Sequence, residues 1–304
     1  MRVISVLPSA TEIVHALGHG RELVGRSSEC DFPSDVRALP AVMRPRTLDA
    51  DRPSRAIDER VRSARSRHES LYELDLDLLR SLRPDLLLTQ NLCSVCSVTE
   101  EEVADACARA GVRPRVVSLA PTNLTEVWTS FEEVGRALSD ANAGDVLARS
   151  CRARAEPSPG SGATVAVVEW VDPPILAGLW TPDIITAAGG RPIGPGTGEP
   201  GARTTWDNLV RVRPDLVIVS PCSFSVDRTT RELDTNPKLR AAIRSLGPRL
   251  GTFVADEAYF SRPGPRLADG IDLVRALLRG RETRGPMPVV PIDSNPKAIR
   301  EVGA

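Results

Sequence analysis

The chain has 304 residues, 41% hydrophobic and 26% charged, with a formal net charge of -1. These values exclude a disordered or membrane-embedded class by composition, and a near-neutral chain lacks the basic field that draws in nucleic acid. No run reaches the roughly 18 apolar residues of a membrane-spanning helix.

The N-terminal MRVISVLPSATEIVHALG carries one Arg, but its apolar run over 3–7 stops at Pro8, so it reads as a first strand and not a signal peptide. The expected location is therefore cytoplasmic. There the six cysteines, Cys30, Cys93, Cys96, Cys107, Cys151 and Cys222, are expected as thiols or ligands and not disulfides.

Short Val/Ile/Leu runs alternating with helical patterns predict parallel βαβ units with strands buried on both faces. Strands are expected over 3–7, 23–25, 86–89 and 115–118, with helices over 11–17, 75–81 and 99–110. Apolar spacing at Val127, Phe131, Val134 and Leu138, then Val146 and Leu147, predicts one long helix over 122–157, interrupted near 142–144. A second set comes after it, with strands over 164–169, 216–220 and 252–255 and helices over 181–188, 206–211, 237–245 and 266–278. Four segments result: an α/β lobe over 1–121, the connecting helix, an α/β lobe over 158–283, and a proline-rich tail over 284–304 expected to be flexible. The glycine-rich run 189–201 lacks a Walker lysine and is expected as a mobile loop.

Residues 78-LLRSLRPDLLLTQNLC-93 and 208-NLVRVRPDLVIVSPC-222 repeat one order: helix end, Arg-Pro-Asp-Leu, strand, polar turn, cysteine. This echo places Cys93 and Cys222 at equivalent strand ends.

In parallel sheets ligands gather beyond the carboxyl ends of the strands, so the candidate chemistry lies in the segments that leave those ends. They hold Cys30, Cys93, Cys96 and Cys222, the carboxylates Glu29, Asp31, Glu169, Asp172 and Glu257, and the aromatics Trp170, Trp180 and Tyr259. Cys93-x-x-Cys96 can chelate a metal or form a redox pair. With Cys30 and Cys222 four thiolates would suit zinc or an iron–sulfur cluster, while packing as small apolar side chains is the structural alternative. Each carboxylate could ligate a cation or act as an acid or base, or merely be solvated or cap a helix. The histidines His15, His19 and His68 lie away from these loops, and no nucleophile-elbow motif is present.

The order 4-ISVLPSATEIVHALG-18, 25-GRSSECDFP-33, 74-LDLDLLRSLRPDLLLTQ-90, a long helix, 181-TPDIITAAGG-190, 205-TWDNLVRVRPDLVIVSPC-222 and 253-FVADEAYFSRPGPRLADGIDLVRAL-277 resembles the class III, helical-backbone substrate-binding proteins of ABC importers. Within them it is most similar to the vitamin B12-binding branch, in its cytosolic cobalamin-binding form. The resemblance covers about residues 2–280. It implies two Rossmann-like α/β lobes with parallel central sheets joined by one rigid helix, with a cobalamin or other metal-bearing ligand held between the lobes. Carried over position by position, the ligand-facing residues would be Ser9, Ala10, Glu29, Asp31, Gln90, Trp180 and Tyr259, to which the strand-end reading adds Glu169, Trp170 and Arg262. Two other functions remain open: a cytoplasmic zinc- or iron–sulfur-dependent enzyme on the same fold, and a siderophore or metal-chelate receptor partnered by an ABC permease. The cysteines and the unexported N-terminus depart from the family pattern.

Overall fold

The computed structural model of the protein describes residues 1–46, 52–67, 69–91, 98–280 and 289–292. His68, Cys93 and Cys96 lie outside the described residues. The fold is α/β, and the chain divides into two compact units. The first comprises Met1–Arg52, Ala56–Pro121 and Thr125–Arg152; the second comprises Pro53–Arg55, Thr122–Leu124 and Ala153–Ala304.

The first unit runs β1 (Val3–Ser5), α1 (Pro8–Ala16), β2 (Leu23–Ser27), β3 (Ala41–Pro45), α2 (Ser54–Ser66), β4 (Tyr72–Leu74), α3 (Leu76–Leu82), β5 (Leu86–Gln90), α4 (Glu100–Ala110), β6 (Arg115–Leu119), α5 (Leu124–Ala137) and α6 (Ala141–Arg154). Its sheet has the order β4-β3-β2-β1-β5-β6. Every pair is parallel except β3 with β4 at the edge. Leu86, Leu87 and Leu88 are at most 1% exposed, so β5 is buried on both faces, and each such side chain contributes about 1.5–3 kcal/mol. Local signals fix the helix ends. Thr99 and Glu102 form a reciprocal capping box at the start of α4, and Gly111 ends it at φ 71°.

The expected single helix over 122–157 is two helices. The break falls at 138–140, before the expected position: Ser139 adopts φ 63°, and the Asp140 carboxylate accepts from the Ala143 amide at 3.0 Å, starting α6. Gly144 serves packing instead, because a Cβ there would lie 2.8 Å from the Phe131 carbonyl oxygen. His19 braces this turn. Its Nδ1 lies 2.7 Å from Glu22 and its Nε2 3.2 Å from Asp140, and the Glu22 hydrogen bond leads the effects that raise its pKa.

The second unit runs β7 (Thr164–Val171), β8 (Pro174–Leu176), α7 (Thr181–Ala187), β9 (Arg191–Pro192), β10 (Ala202–Arg203), α8 (Trp206–Val212), β11 (Leu216–Val219), α9 (Val226–Thr235), α10 (Pro237–Arg244), β12 (Thr252–Ala255), α11 (Leu267–Leu278) and β13 (Val289–Pro291). The strand order is β10-β8-β7-β11-β12-β13, with β9 paired to β7. The central β7-β11-β12 pairs are parallel, whereas β8, β10 and β13 add antiparallel edges. Thus part of the expected flexible tail is a strand, with Val290 opposite Val254.

The sequence echo is a structural one. Helices α3 and α8 end on Arg83 (φ 43°) and Arg213 (φ 52°), each followed by a buried proline and then an aspartate. The Asp85 carboxylate accepts from the Arg2 amide at 2.7 Å, and that of Asp215 from the Thr164 amide at 2.8 Å. In return the aspartate amides donate to the carbonyls of Arg2 and Thr164. Each motif therefore clamps the start of the neighbouring strand.

A left-handed backbone strains any residue but glycine. Arg213→Gly should raise unfolding free energy by about 1 kcal/mol in urea titration. Asp215→Ala should lower it by about 1–2 kcal/mol by removing the Thr164 partner.

Candidate functional site

In the first unit the strand ends deliver Ser9, Ala10, Glu29, Cys30, Asp31 and Gln90. Pro8 opens α1 behind Leu7 as N-cap, so Ser9 and Thr11 lie inside the helix and do not cap it. Ser9 and Ala10 are buried. Thr11 Oγ1 lies 3.0 Å from Cys30 Sγ, and Cys30 is 1% exposed, which places that thiol in the packing between α1 and the end of β2. Glu29 and Asp31 are half-buried; Asp31 faces Arg37 at 3.8 Å and Glu29 faces the Ser28 hydroxyl at 3.3 Å. Phe32, absent from the sequence-based candidates, is 48% exposed beside Asp31. Gln90 is the last residue of β5 and is half-buried.

The second unit assembles a denser cluster. Strand β7 carries Glu169 and Trp170 just before its last residue, Val171, and the Cys222 amide donates to the Glu169 carbonyl at 3.0 Å, tying the turn after β11 to it. The turn after β12 adds Asp256 and Glu257. The Ser220 hydroxyl donates to the Asp256 carbonyl at 3.1 Å, and Glu257 accepts from the Ser223 amide. Arg262 forms an ion pair with Glu257 through Nε. Trp170 packs on Phe224 with ring centroids 5.2 Å apart, and the Arg228 guanidinium lies 4.3 Å over the Phe224 ring. Arg228 also pairs with Glu232 at 2.9 Å, and Arg55 pairs with Asp172 at 2.7 Å.

Burial governs the electrostatics. It pushes the Glu169 carboxyl up to about 7 against the opposing Gly178 amide bond, and Glu257 up to about 7 despite Arg262, with Asp256 adding to the rise. Cys222 reaches solvent on one side. The dense protein around it, then Glu257 and Glu169, push its thiol up. The indole Nε1 of Trp170 is buried without a hydrogen-bond partner.

Two glycines make room for this arrangement. A Cβ on Gly201 would meet Glu169 Oε1 at 1.9 Å, and one on Gly178 would meet the Glu199 carbonyl at 2.3 Å. The run 189–201, expected as a mobile loop, is held against this edge: Leu179 donates to Glu199 at 2.7 Å and Gly198 to Leu179 at 3.0 Å. Two proposed aromatics are packed inward. Trp180 donates from its indole to the Phe260 carbonyl at 2.6 Å, and Tyr259 is 6% exposed. Among the described residues no three His, Cys, Asp or Glu side chains are placed to hold a metal ion, and the expected four-cysteine set depends on Cys93 and Cys96, outside them.

No protein-family model and no curated protein matches this sequence. Solved structures do match it. A periplasmic heme-binding protein from Pseudomonas aeruginosa shares 20% identity at a TM-score of 0.63, covering 91% of this chain and 92% of its own. The periplasmic vitamin B12-binding protein BtuF of Vibrio cholerae shares 17% identity at a TM-score of 0.60, covering 91% and 96%. A substrate-binding protein of an ABC transporter from Listeria monocytogenes shares 14% at a TM-score of 0.59, covering 91% and 97%. The chain has the substrate-binding-protein fold of the ABC importers. On that fold the strand-end cluster of Glu169, Trp170, Cys222, Glu257 and Arg262 occupies the place where parallel sheets present chemistry. All five are legible from their position at or after predicted strand ends, although β7 runs on to Val171 and so holds Glu169 and Trp170 within the strand. Phe224, Arg228, Gly178 and Gly201 are not, because their roles depend on contacts between turns distant in sequence. No helix among the described residues is long and apolar enough to cross a membrane.

A carboxyl raised in the folded state binds its proton more tightly there, so its contribution to stability is complete at low pH and is lost as pH rises from the unfolded value toward 7. Glu169→Gln should therefore leave stability nearly unchanged at pH 4.5 and raise it by about 2–3 kcal/mol at pH 8, measured by urea unfolding at both pH values.

Proposed function

We propose that this protein is a substrate-binding protein whose ligand is a corrinoid or another metal-bearing macrocycle, bound over the carboxyl ends of the strands. The observation that carries this reading is the match along nine-tenths of the chain to structures named as binders of vitamin B12 and of heme. The cluster after β7, β11 and β12 supports it. A half-buried indole on the strand that also carries Glu169 suits a broad apolar ring carrying polar arms. An ABC permease is the partner this function implies for an exported protein, and a cytoplasmic protein would serve as an intracellular carrier. Cell fractionation separates the two.

Titration of the purified chain with cyanocobalamin and, separately, with hemin should give saturable changes in the visible spectrum with quenching of tryptophan emission. Trp170→Ala should weaken binding by about tenfold or more. Absence of saturable binding to either compound rejects the proposal.

A further inference from the structure

We propose that a cavity at the amino ends of β1 and β5 is an oxyanion site, which takes a phosphate-bearing ligand through Arg2, Arg80 and Arg83. It is independent of the macrocycle reading, because it lies in the first unit at the sheet edge opposite the strand ends that deliver Glu29 and Gln90.

The cavity measures about 660 Å³ and is lined by Arg2, Asp77, Arg80, Ser81 and Arg83. That volume lies within the range of small-molecule sites. No aromatic or aliphatic residue lines it, so it offers no face to a ring, and recognition must come from charge. Three guanidinium groups stand there against one carboxylate, in a chain whose formal net charge is -1. The positive charge is therefore local and not a property of the whole surface.

The fold places these guanidinium groups with nitrogens to spare. Arg2 Nε donates to the Leu82 carbonyl at 2.6 Å, holding the side chain at the end of α3, while both of its terminal nitrogens stay unengaged. Arg80 pairs with Asp77 through one nitrogen at 2.8 Å. Among the described residues the Arg83 side chain has no hydrogen-bond or ion-pair partner. The guanidinium fork matches the paired oxygens of a phosphate.

The second unit supplies an internal comparison. There the same device of helix end, left-handed arginine, proline and aspartate recurs, with Arg213 in the place of Arg83. The positions matching Arg2 and Arg80 are Thr164 and Val210. Clamping a strand start therefore needs neither arginine, and the pair in the first unit is left for another role.

Isothermal titration of the full chain with inorganic pyrophosphate should show saturable binding that weakens severalfold on adding about 0.2 M sodium chloride, since exposed charges are screened. Arg83→Gln should weaken it about tenfold. Asp77→Asn, which releases Arg80, should tighten it severalfold, a gain that a purely structural role for these residues would not give. Arg213→Gln, the matched change in the second unit, should leave it unaltered. Cosedimentation with phosphatidylcholine vesicles, with and without phosphatidic acid, separates a lipid headgroup from a free phosphate. Retention only on the acidic vesicles, abolished by Arg83→Gln and without pyrophosphate binding, assigns the headgroup. Where circular dichroism shows Arg83→Gln misfolded, the direction of the Asp77→Asn effect decides. Binding to neither probe, binding that Arg83→Gln leaves unchanged, or equal weakening by Arg213→Gln overturns the site and leaves macrocycle binding untouched.

Discussion

Double-sided burial of the parallel strands is the constraint on which the rest of the second unit depends. Val165, Ala166, Val167 and Val168 on β7 and all four residues of β11 are at most 2% exposed. An unsatisfied polar side chain in those stretches would cost several kcal/mol. Polar groups are therefore displaced to where each strand stops, and the chemistry collects there: Glu169 and Trp170 after the buried run of β7, Cys222 after β11, Glu257 after β12. The same burial raises the two carboxyls, because a turn packed against a closed sheet offers them little water.

The paired Arg-Pro-Asp motifs show how each sheet is registered. Parallel neighbours lack a tight turn to fix their offset, so an end contact must do it. Asp85 bonds both ways with Arg2, and Asp215 with Thr164, each joining the backbones of two strands far apart in sequence. The proline before each aspartate disfavours further helix and directs the chain into extended backbone. Recurrence of this device in both units accounts for the Arg-Pro-Asp part of the echo in the sequence; its cysteine part depends on Cys93, outside the described residues.

Much of the architecture is legible in the sequence because fully buried strands leave unbroken Val/Ile/Leu runs; β1, β5, β7, β11 and β12 fall where those runs lie. The edges are not. Strands β4, β8, β9 and β10 are two or three residues long and β3 ends on a proline, too little for a period of two to declare itself. Helix α2 is hidden because its sequence SRAIDERVRSARS is dominated by charge. The sequence points to the glycine for the break between α5 and α6, yet the turn comes from Ser139 and Asp140, and the glycine answers a steric demand from α5 that only the packed structure reveals. At the site, position after a strand identifies acids and aromatics. It does not separate Trp170, with its unmatched donor, from Trp180, whose donor is engaged by Phe260.

The close approach at Gly201 has a consequence for descent. The Glu169 carboxyl occupies the volume that a side chain at 201 would need, so the two positions, 32 residues apart in the chain, are unequal partners. The acid can be lost while the glycine stays, whereas a larger residue at 201 has to turn the carboxyl aside. Change at 201 would therefore redirect the acid, and change at 169 would leave the glycine as a trace of where the acid once lay.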